Sequence, residues 1–397
     1  MRLLCLLLLL SLSFSYELLT PESAYKMALE NNKEILRLKH QIEAMDIDYE
    51  LAQKYYLPVV YAGANLLYSF DKRDLKVETN LSVVSVLYEF QKTKSRIEIS
   101  KIKRALAQLM MEQLKKDIQL RIIKLFAQAH VYKKLAEVKR EEMAVAFVRF
   151  DRARERKELG LATDYEVAHL ESIYREKRME LMKAQHLYNQ SLLEIKRTVG
   201  LSYEVTIDLS PIPLTSVERD KFKELMELAL KENTNLRMKD LEIKAYDEDL
   251  RMVGQTFSPR VSLKLSTNRS GLEISTPIFD TSKGYRIDYL LSLRRSAEVE
   301  RRRLEDDIKL IFFNAPYELE YLKAKLEYAR SRDRFMEENL MLRRSEYELE
   351  LAFDLGNAMA EKSEAERQLL EAIYGITLFW AQLYNLAGKD PLLVLRD

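Results

Sequence analysis

The stretch "KYYLPVVYAG", Lys54–Gly63, decides how this chain folds. Upstream of it the sequence reads as one helix of more than about 30 residues; downstream of Pro58, apolar and polar residues alternate as in a strand. Proline disfavours helical geometry in the residue before it. Pro58 therefore marks where backbone hydrogen bonding passes from within one segment to between segments. The same event recurs in "QTFSPRVSLK", Gln255–Lys264, whose Pro259 lies 201 residues beyond Pro58.

That offset belongs to a repeat. "MALENNKEILRLKHQIEA" at 27–44 parallels "LALKENTNLRMKDLEIKA" at 228–245, again 201 apart. "VLYEF" at 86–90 answers "PIFDT" at 277–281 with an offset of 191, and "KELGLATDYEVAHLE" at 157–171 answers "YELELAFDLGNAMAE" at 347–361 with an offset of 190. The halves share one order of events, and the second has lost about ten residues in its strand region. We expect repeat 1 over 16–201, with a helix, a β-hairpin at 59–88, a long helix to 158 and a helix at 162–199. A linker at 202–220 holds Pro211 and Pro213. Repeat 2 follows over 221–388, with a helix, a β-hairpin at 260–279, a long helix to about 350 and a helix at 355–387, before a tail at 389–397.

Between Glu89 and Gly160 there is neither Gly nor Pro, a run of about 70 residues. As a helix it would reach roughly 100 Å, more than a globular core needs. Ile118, Ile122, Leu125, Ala129 and Tyr132 recur in threes and fours along it, as do Leu369, Ala372, Ile376, Phe379, Leu383 and Leu386 in the last helix. These are the stripes of a coiled-coil-like bundle. Thr20-Pro21-Glu22 starts the first helix with a cap, a proline and an early acid. Pro316 should kink or locally unwind the second long helix.

The strands are two-faced. Val60, Ala62, Ala64, Leu66, Tyr68 and Phe70 alternate with Gly63, Asn65 and Ser69, and Val77, Thr79, Leu81, Val83, Ser85 and Leu87 alternate with Glu78, Asn80 and Ser82. In the second half Val261, Leu263 and Leu265 alternate with Ser262, Lys264 and Ser266, and Leu272 and Ile274 with Glu273 and Ser275. A lipid-spanning β-barrel has this pattern, and so does a sheet with one face on helices and one in water. In the first reading Leu66, Val83, Leu263 and Ile274 meet lipid, while Lys264 and Glu273 face the lumen.

Composition narrows the function. The 397 residues carry 64 Lys+Arg against 63 Asp+Glu, a balance that argues against a nucleic-acid partner. Arg2 followed by "LLCLLLLL", with Ser13 and Ser15 before Tyr16, reads as a secretory signal peptide over 1–15. Cys5 would leave with it, and the mature chain would have no thiol chemistry or thiolate metal site. His40, His130, His169 and His186 lie far apart, and there is no Gly-rich phosphate loop, so no catalytic, cofactor or metal site is expected. An exported protein with only four strands must share them with other chains to hide their edges.

On these marks the chain resembles the TolC-like outer-membrane efflux proteins. The resemblance runs from Leu18 to about Gly388, carried by "SAYKMALENNKEI" followed by Pro58, by "STPIFD" at 275–280 and by "KELGLATDYEVAHLE". It implies a mixed α and β duct: a homotrimer whose twelve-stranded barrel takes four strands from each chain and continues as a long α-helical barrel into the periplasm. The implied partners are outer-membrane lipid, a periplasmic adaptor and an inner-membrane efflux or secretion transporter. The competing reading is an exported, non-catalytic helical scaffold or adaptor.

The resemblance further implies a constriction at the periplasmic tip. Tyr347 matches the family's bracing tyrosine, but Ala352 stands where an arginine would, and Gly356 and Met359 occupy the positions of an acidic ring. Asp164, Glu166, Asp354 and Glu361 are the acids left to form a substitute aperture, with Gly160 as the turn between helices.

Overall fold

The computed structural model describes residues 18–69, 74–89, 92–213, 221–255, 259–267, 270–277, 280–348 and 355–396. The expected signal peptide, Glu350 (the repeat equivalent of Gly160), Ala352 and Asp354 lie outside these residues, as do the side chains of 65–76 and 78, Leu66 among them.

The chain starts with a short strand β1 (Leu18–Leu19), then helices α1 (Pro21–Asn31) and α2 (Lys33–Gln53), strands β2 (Val59–Ser69) and β3 (Asp74–Glu89), and helices α3 (Lys92–Glu158) and α4 (Asp164–Val199). Strand β4 (Asp208–Leu209) leads to α5 (Phe222–Glu232), α6 (Thr234–Gly254), β5 (Arg260–Ser266), β6 (Ser270–Ser275), α7 (Lys283–Glu348), α8 (Leu355–Leu386) and a 3-10 turn at Pro391–Leu395. Two compact units result. A helical unit takes residues up to Leu36, Leu114–Lys231 and Ile308 onward; a sheet unit takes Arg37–Gln113 and Glu232–Asp307.

In the helical unit the periodic apolar stripes are its core. Ile118, Ile122, Ile123 and Phe126 of α3, Ile195 and Val199 of α4, Leu225 of α5, Leu319 of α7 and Trp380 of α8 are fully buried. Phe222 stacks on Trp380 with ring centroids 5.2 Å apart, and Phe379 meets Trp380 edge-on at 5.4 Å. The expected linker is partly structured, because β4 pairs in parallel with β1, Leu18 opposite Asp208 and Leu19 opposite Leu209. At the start of α1, Thr20 and Ser23 cap each other's backbone N–H groups.

Three expectations need correction. The single helix expected before each hairpin is broken in two. Asn32 has extended backbone, and its Oδ1 accepts from the N–H groups of Glu34 (2.8 Å) and Ile35 (3.2 Å), starting α2 afresh. Asn233 does the same for Asn235 (3.0 Å) and Leu236 (3.2 Å) at the start of α6. These residues stand 201 apart, so the break is part of the repeat. The second hairpin ends at Ser275, short of the expected 279. Finally, α7 stays helical through Pro316, so of the expected kink or local unwinding the unwinding does not occur.

The sheet unit holds one four-stranded antiparallel sheet in the order β2-β3-β5-β6. Val60 opposes Val83, which opposes Leu265; Leu263 opposes both Ser85 and Leu272, and Val261 opposes Ile274. Directly opposed residues share a face. One register shift, between Val86 and Tyr88, interrupts the β3–β5 pairing.

Candidate functional site

The register collects Val60, Ala62, Leu81, Val83, Leu263, Leu265, Leu272 and Ile274 on one face of the sheet. The other face carries Tyr61, Asn80, Ser82, Ser262, Lys264, Ser266 and Glu273 together with Val59, Val84 and Val86. Across it, Ser266 donates to Asn80 Oδ1 (2.6 Å) and Thr267 does so at 3.3 Å. The structure thus brings Lys264 and Glu273 to one side and Val83, Leu263 and Ile274 to the other, and Leu66 pairs in register with Val77. That apolar face is open in the single chain: Val60 is 62%, Leu272 66% and Ile274 72% exposed. Among the described residues, β2 and β6 each have one unpaired edge.

The prolines stand at the entrance to this sheet. Pro58 immediately precedes β2 and Pro259 immediately precedes β5. The hydroxyl of Ser85 in β3 donates to the carbonyl of Tyr56 (2.5 Å), tying the chain just before Pro58 to the neighbouring strand. A backbone carbonyl that has left the helix ladder is thereby satisfied.

At the first helix tip, Gly160 adopts φ 72°, and its N–H donates to the Lys157 carbonyl (2.9 Å) while that of Leu161 donates to Arg156 (2.8 Å). This is a left-handed helix end that favours glycine. Thr163 caps α4 by accepting from the Glu166 N–H (3.2 Å). Arg156 donates to Glu166 (3.3 Å) and to the Leu161 carbonyl (3.1 Å), and Lys157 pairs with Asp164. Both expected aperture acids of this hairpin are therefore tied to cations of α3. Tyr347, near the end of α7, and Glu361, on α8, are exposed. No hydrogen bond or ion pair among the described residues joins them to Asp164 or Glu166.

Sequence reading missed a charge network in the helical unit. Lys362 of α8, with its side chain only 11% exposed, pairs with Asp333 (2.9 Å) and Glu337 (2.7 Å) of α7 and with Glu366 (3.7 Å). Glu366 also meets Lys134 of α3 at 2.6 Å, so one chain of charges crosses three helices. Nearby, Arg367 pairs with Glu364 and Glu371 at 2.8 Å each, and Lys325 pairs with Glu371 at 3.0 Å. On α3 and α4, Lys139 and Lys177 share Glu142 and Glu180. The i,i+3 and i,i+4 pairs are visible in sequence, but the pairs between helices are not.

These contacts decide the protonation of the groups. Burial works against the charge on Lys362, but bonds from Asp333 and Glu337 outweigh it and hold its pKa above the ordinary lysine value. Burial likewise opposes the charges of Glu364, Glu371 and Glu180, and their Arg and Lys partners bring all three below the ordinary value of 4.5. A carboxylate with a lowered folded pKa contributes stability that is present above its unfolded value and lost as pH falls through the folded one. The helical unit should therefore lose stability below about pH 4.5. Each half-exposed pair contributes about 0.2–1 kcal/mol, so thermal melts at pH 7 and pH 3 should differ by several degrees. The difference should shrink in Glu364→Gln/Glu371→Gln.

Among the described residues no group of three or more His, Cys, Asp or Glu side chains could hold a metal ion. Nor is any described helix long and apolar enough to cross a membrane.

Comparison with known proteins bears on the whole arrangement. Residues 24–201 match the family described as outer membrane efflux protein. The fold is similar to the outer membrane protein VceC from the pathogen Vibrio cholerae, at 14% identity and a TM-score of 0.66, covering 94% of this chain and 95% of that one. It is similar to the Campylobacter jejuni CmeC outer membrane channel at 12% identity and a TM-score of 0.67, covering 93% and 85%. The open state of the Neisseria gonorrhoeae MtrE outer membrane channel gives 18% identity and a TM-score of 0.63, covering 93% and 89%. No curated protein matches the chain in sequence.

Proposed function

We propose, from the chain's homology to the TolC-like outer membrane efflux protein family, that it is an outer-membrane channel acting as a passive exit duct. The observation that carries the reading is the sheet itself, predominantly apolar over one face and mixed, with its charged residues, over the other, with open edges at β2 and β6. In hydrocarbon an unpaired strand edge costs several kcal/mol for each exposed backbone group. Closure is required, and four strands are too few to close around a passage. Three copies, each pairing β6 with the β2 of the next, give a twelve-stranded barrel with the apolar face toward lipid and Lys264 and Glu273 toward the lumen.

The α-helices continue this wall into the periplasm, where water satisfies their charged surfaces. Substrates reach the duct from an inner-membrane efflux or secretion transporter through a periplasmic adaptor. The chain supplies no chemistry to the cargo; passage is set by the bore and the charges that line it. Electron microscopy of detergent-extracted protein should show long trimeric tubes. A monomeric rod recovered from the periplasm would instead support an exported scaffold and sink the duct.

The tip acids divide into two groups. Asp164 and Glu166 brace their own hairpin through Lys157 and Arg156, whereas Glu361 and Asp354, with Tyr347, form the closed end. Asp354→Asn/Glu361→Gln should lower the cation preference of single channels in planar bilayers by about twofold at low salt, and much less at high salt. Asp164→Asn/Glu166→Gln should leave selectivity unchanged. Identical low-salt selectivity in the first pair and its parent would remove Asp354 and Glu361 from the aperture.

A further inference from the structure

The strand-to-helix boundary of the sheet unit gathers cations that the duct itself does not use. Lys92 and Lys94 open α3 and Lys283 and Arg286 open α7, while Lys54 follows α2; of these, Lys54 also pairs with Glu50 (3.4 Å) and Lys283 donates to the Gln255 carbonyl (2.9 Å). Glu89, Arg260 and Ser275 are paired in one row across β3, β5 and β6, so the residues next to them in the chain lie at the same end of the sheet. The acids of this boundary are already held. Glu89 accepts from Arg96 at 3.0 Å, and Asp280 accepts from Ser282 at 2.6 Å with Arg286 3.9 Å away.

Neither α3 nor α7 has an acid in its first turn. The positive end of a helix dipole favours acids there and disfavours cations, so the arrangement is unfavourable within the chain. Yet it is built twice, once in each repeat. Exposed tyrosines accompany it: Tyr56 and Tyr88 beside the strand ends, and Tyr285 and Tyr289 on the first turns of α7. Rings with an apolar body and a polar tip favour the boundary between hydrocarbon and water. The boundary is also continuous with the apolar sheet face, through Val60 and Ile274.

We infer that this collar binds the phosphate-bearing headgroups of anionic phospholipids where the bilayer meets the helical part of the protein. The inference rests on the reading of the apolar face as lipid-facing. The cations meet phosphate oxygens and offset the unfavourable helix starts, while the tyrosines occupy the interface and fix the depth of the sheet.

The test is flotation of the purified full chain with vesicles of phosphatidylcholine alone or with about 30% phosphatidylglycerol, each cation near an anionic surface adding roughly fivefold in binding. The parent should associate about tenfold or more better with the anionic vesicles, and high salt should erase the gain. Lys94→Gln/Arg286→Gln should keep the far-UV spectrum and the association with pure phosphatidylcholine while losing most of that gain. Lys94→Arg/Arg286→Lys should retain it. Equal association of the parent with both vesicles, or an undiminished gain in the glutamine variant, overturns the inference. Failure of the parent to join either vesicle overturns it together with the lipid-facing reading, so the two failures are distinguishable.

Discussion

Leu81→Arg should leave little trimer in the outer-membrane fraction. Leu81 lies midway along β3, opposite Ala62 on the apolar face, and is 52% exposed in the single chain. If that face meets hydrocarbon, an arginine near the midplane costs about 2–4 kcal/mol in each protomer. Three copies face that cost together, since no protomer can close the barrel alone. Tyr61→Arg is the matched control: Tyr61 opposes Ser82 on the other face and is 57% exposed. A guanidinium there enters the aqueous lumen, and assembly should stay near the parental level. The trimer fraction on mildly denaturing gels reads both variants. Equal recovery of the two would show that sheet facing is not set by this alternation.

Gly200→Ala should destabilise the helical unit more than Gly160→Ala, although both glycines have positive φ. Gly200 ends α4 at φ 82°, and a Cβ there would sit 2.5 Å from the Asn31 carbonyl oxygen. Asn31 is backbone that cannot swing aside, because the neighbouring Asn32 amide donates to the Thr198 carbonyl at 2.7 Å. Left-handed geometry alone costs an alanine about 1–2 kcal/mol, and the contact raises the expected loss to about 3 kcal/mol or more. At Gly160, φ is 72° but no atom lies within 4 Å of the added carbon. That variant should lose only the conformational part. Melting temperatures of the two extracted variants decide the ranking, and equal shifts would refute the steric account.

These glycines show what kind of information a sequence holds. The positive φ of Gly160 is legible, since "LGLATD" places a glycine between two helical patterns and Thr163 before the next. The approach of Gly200 to Asn31 is not, because it depends on a contact across about 170 residues. The helix breaks at Asn32 and Asn233 fall between. Each asparagine was in view within the repeat, but the apolar period runs across it unchanged. One amide oxygen accepting two N–H groups outweighed that period. The charge network has the same character: Lys362–Glu366 is a local pair, whereas the reach of Lys362 to Asp333 and Glu337 requires α7 beside α8.

By itself the sequence determined the elements with a local cause. Proline at 58 and 259 forces the change of backbone pairing, a period of two makes strands with two faces, and a long run without Gly or Pro makes α3. Only the tertiary structure decided that β3 pairs with β5, joining the two repeats into one sheet and carrying a single apolar face across all four strands. The physical reason is that side-chain periodicity is written residue by residue, whereas pairing between segments about 180 residues apart is settled by which register buries and bonds the most backbone.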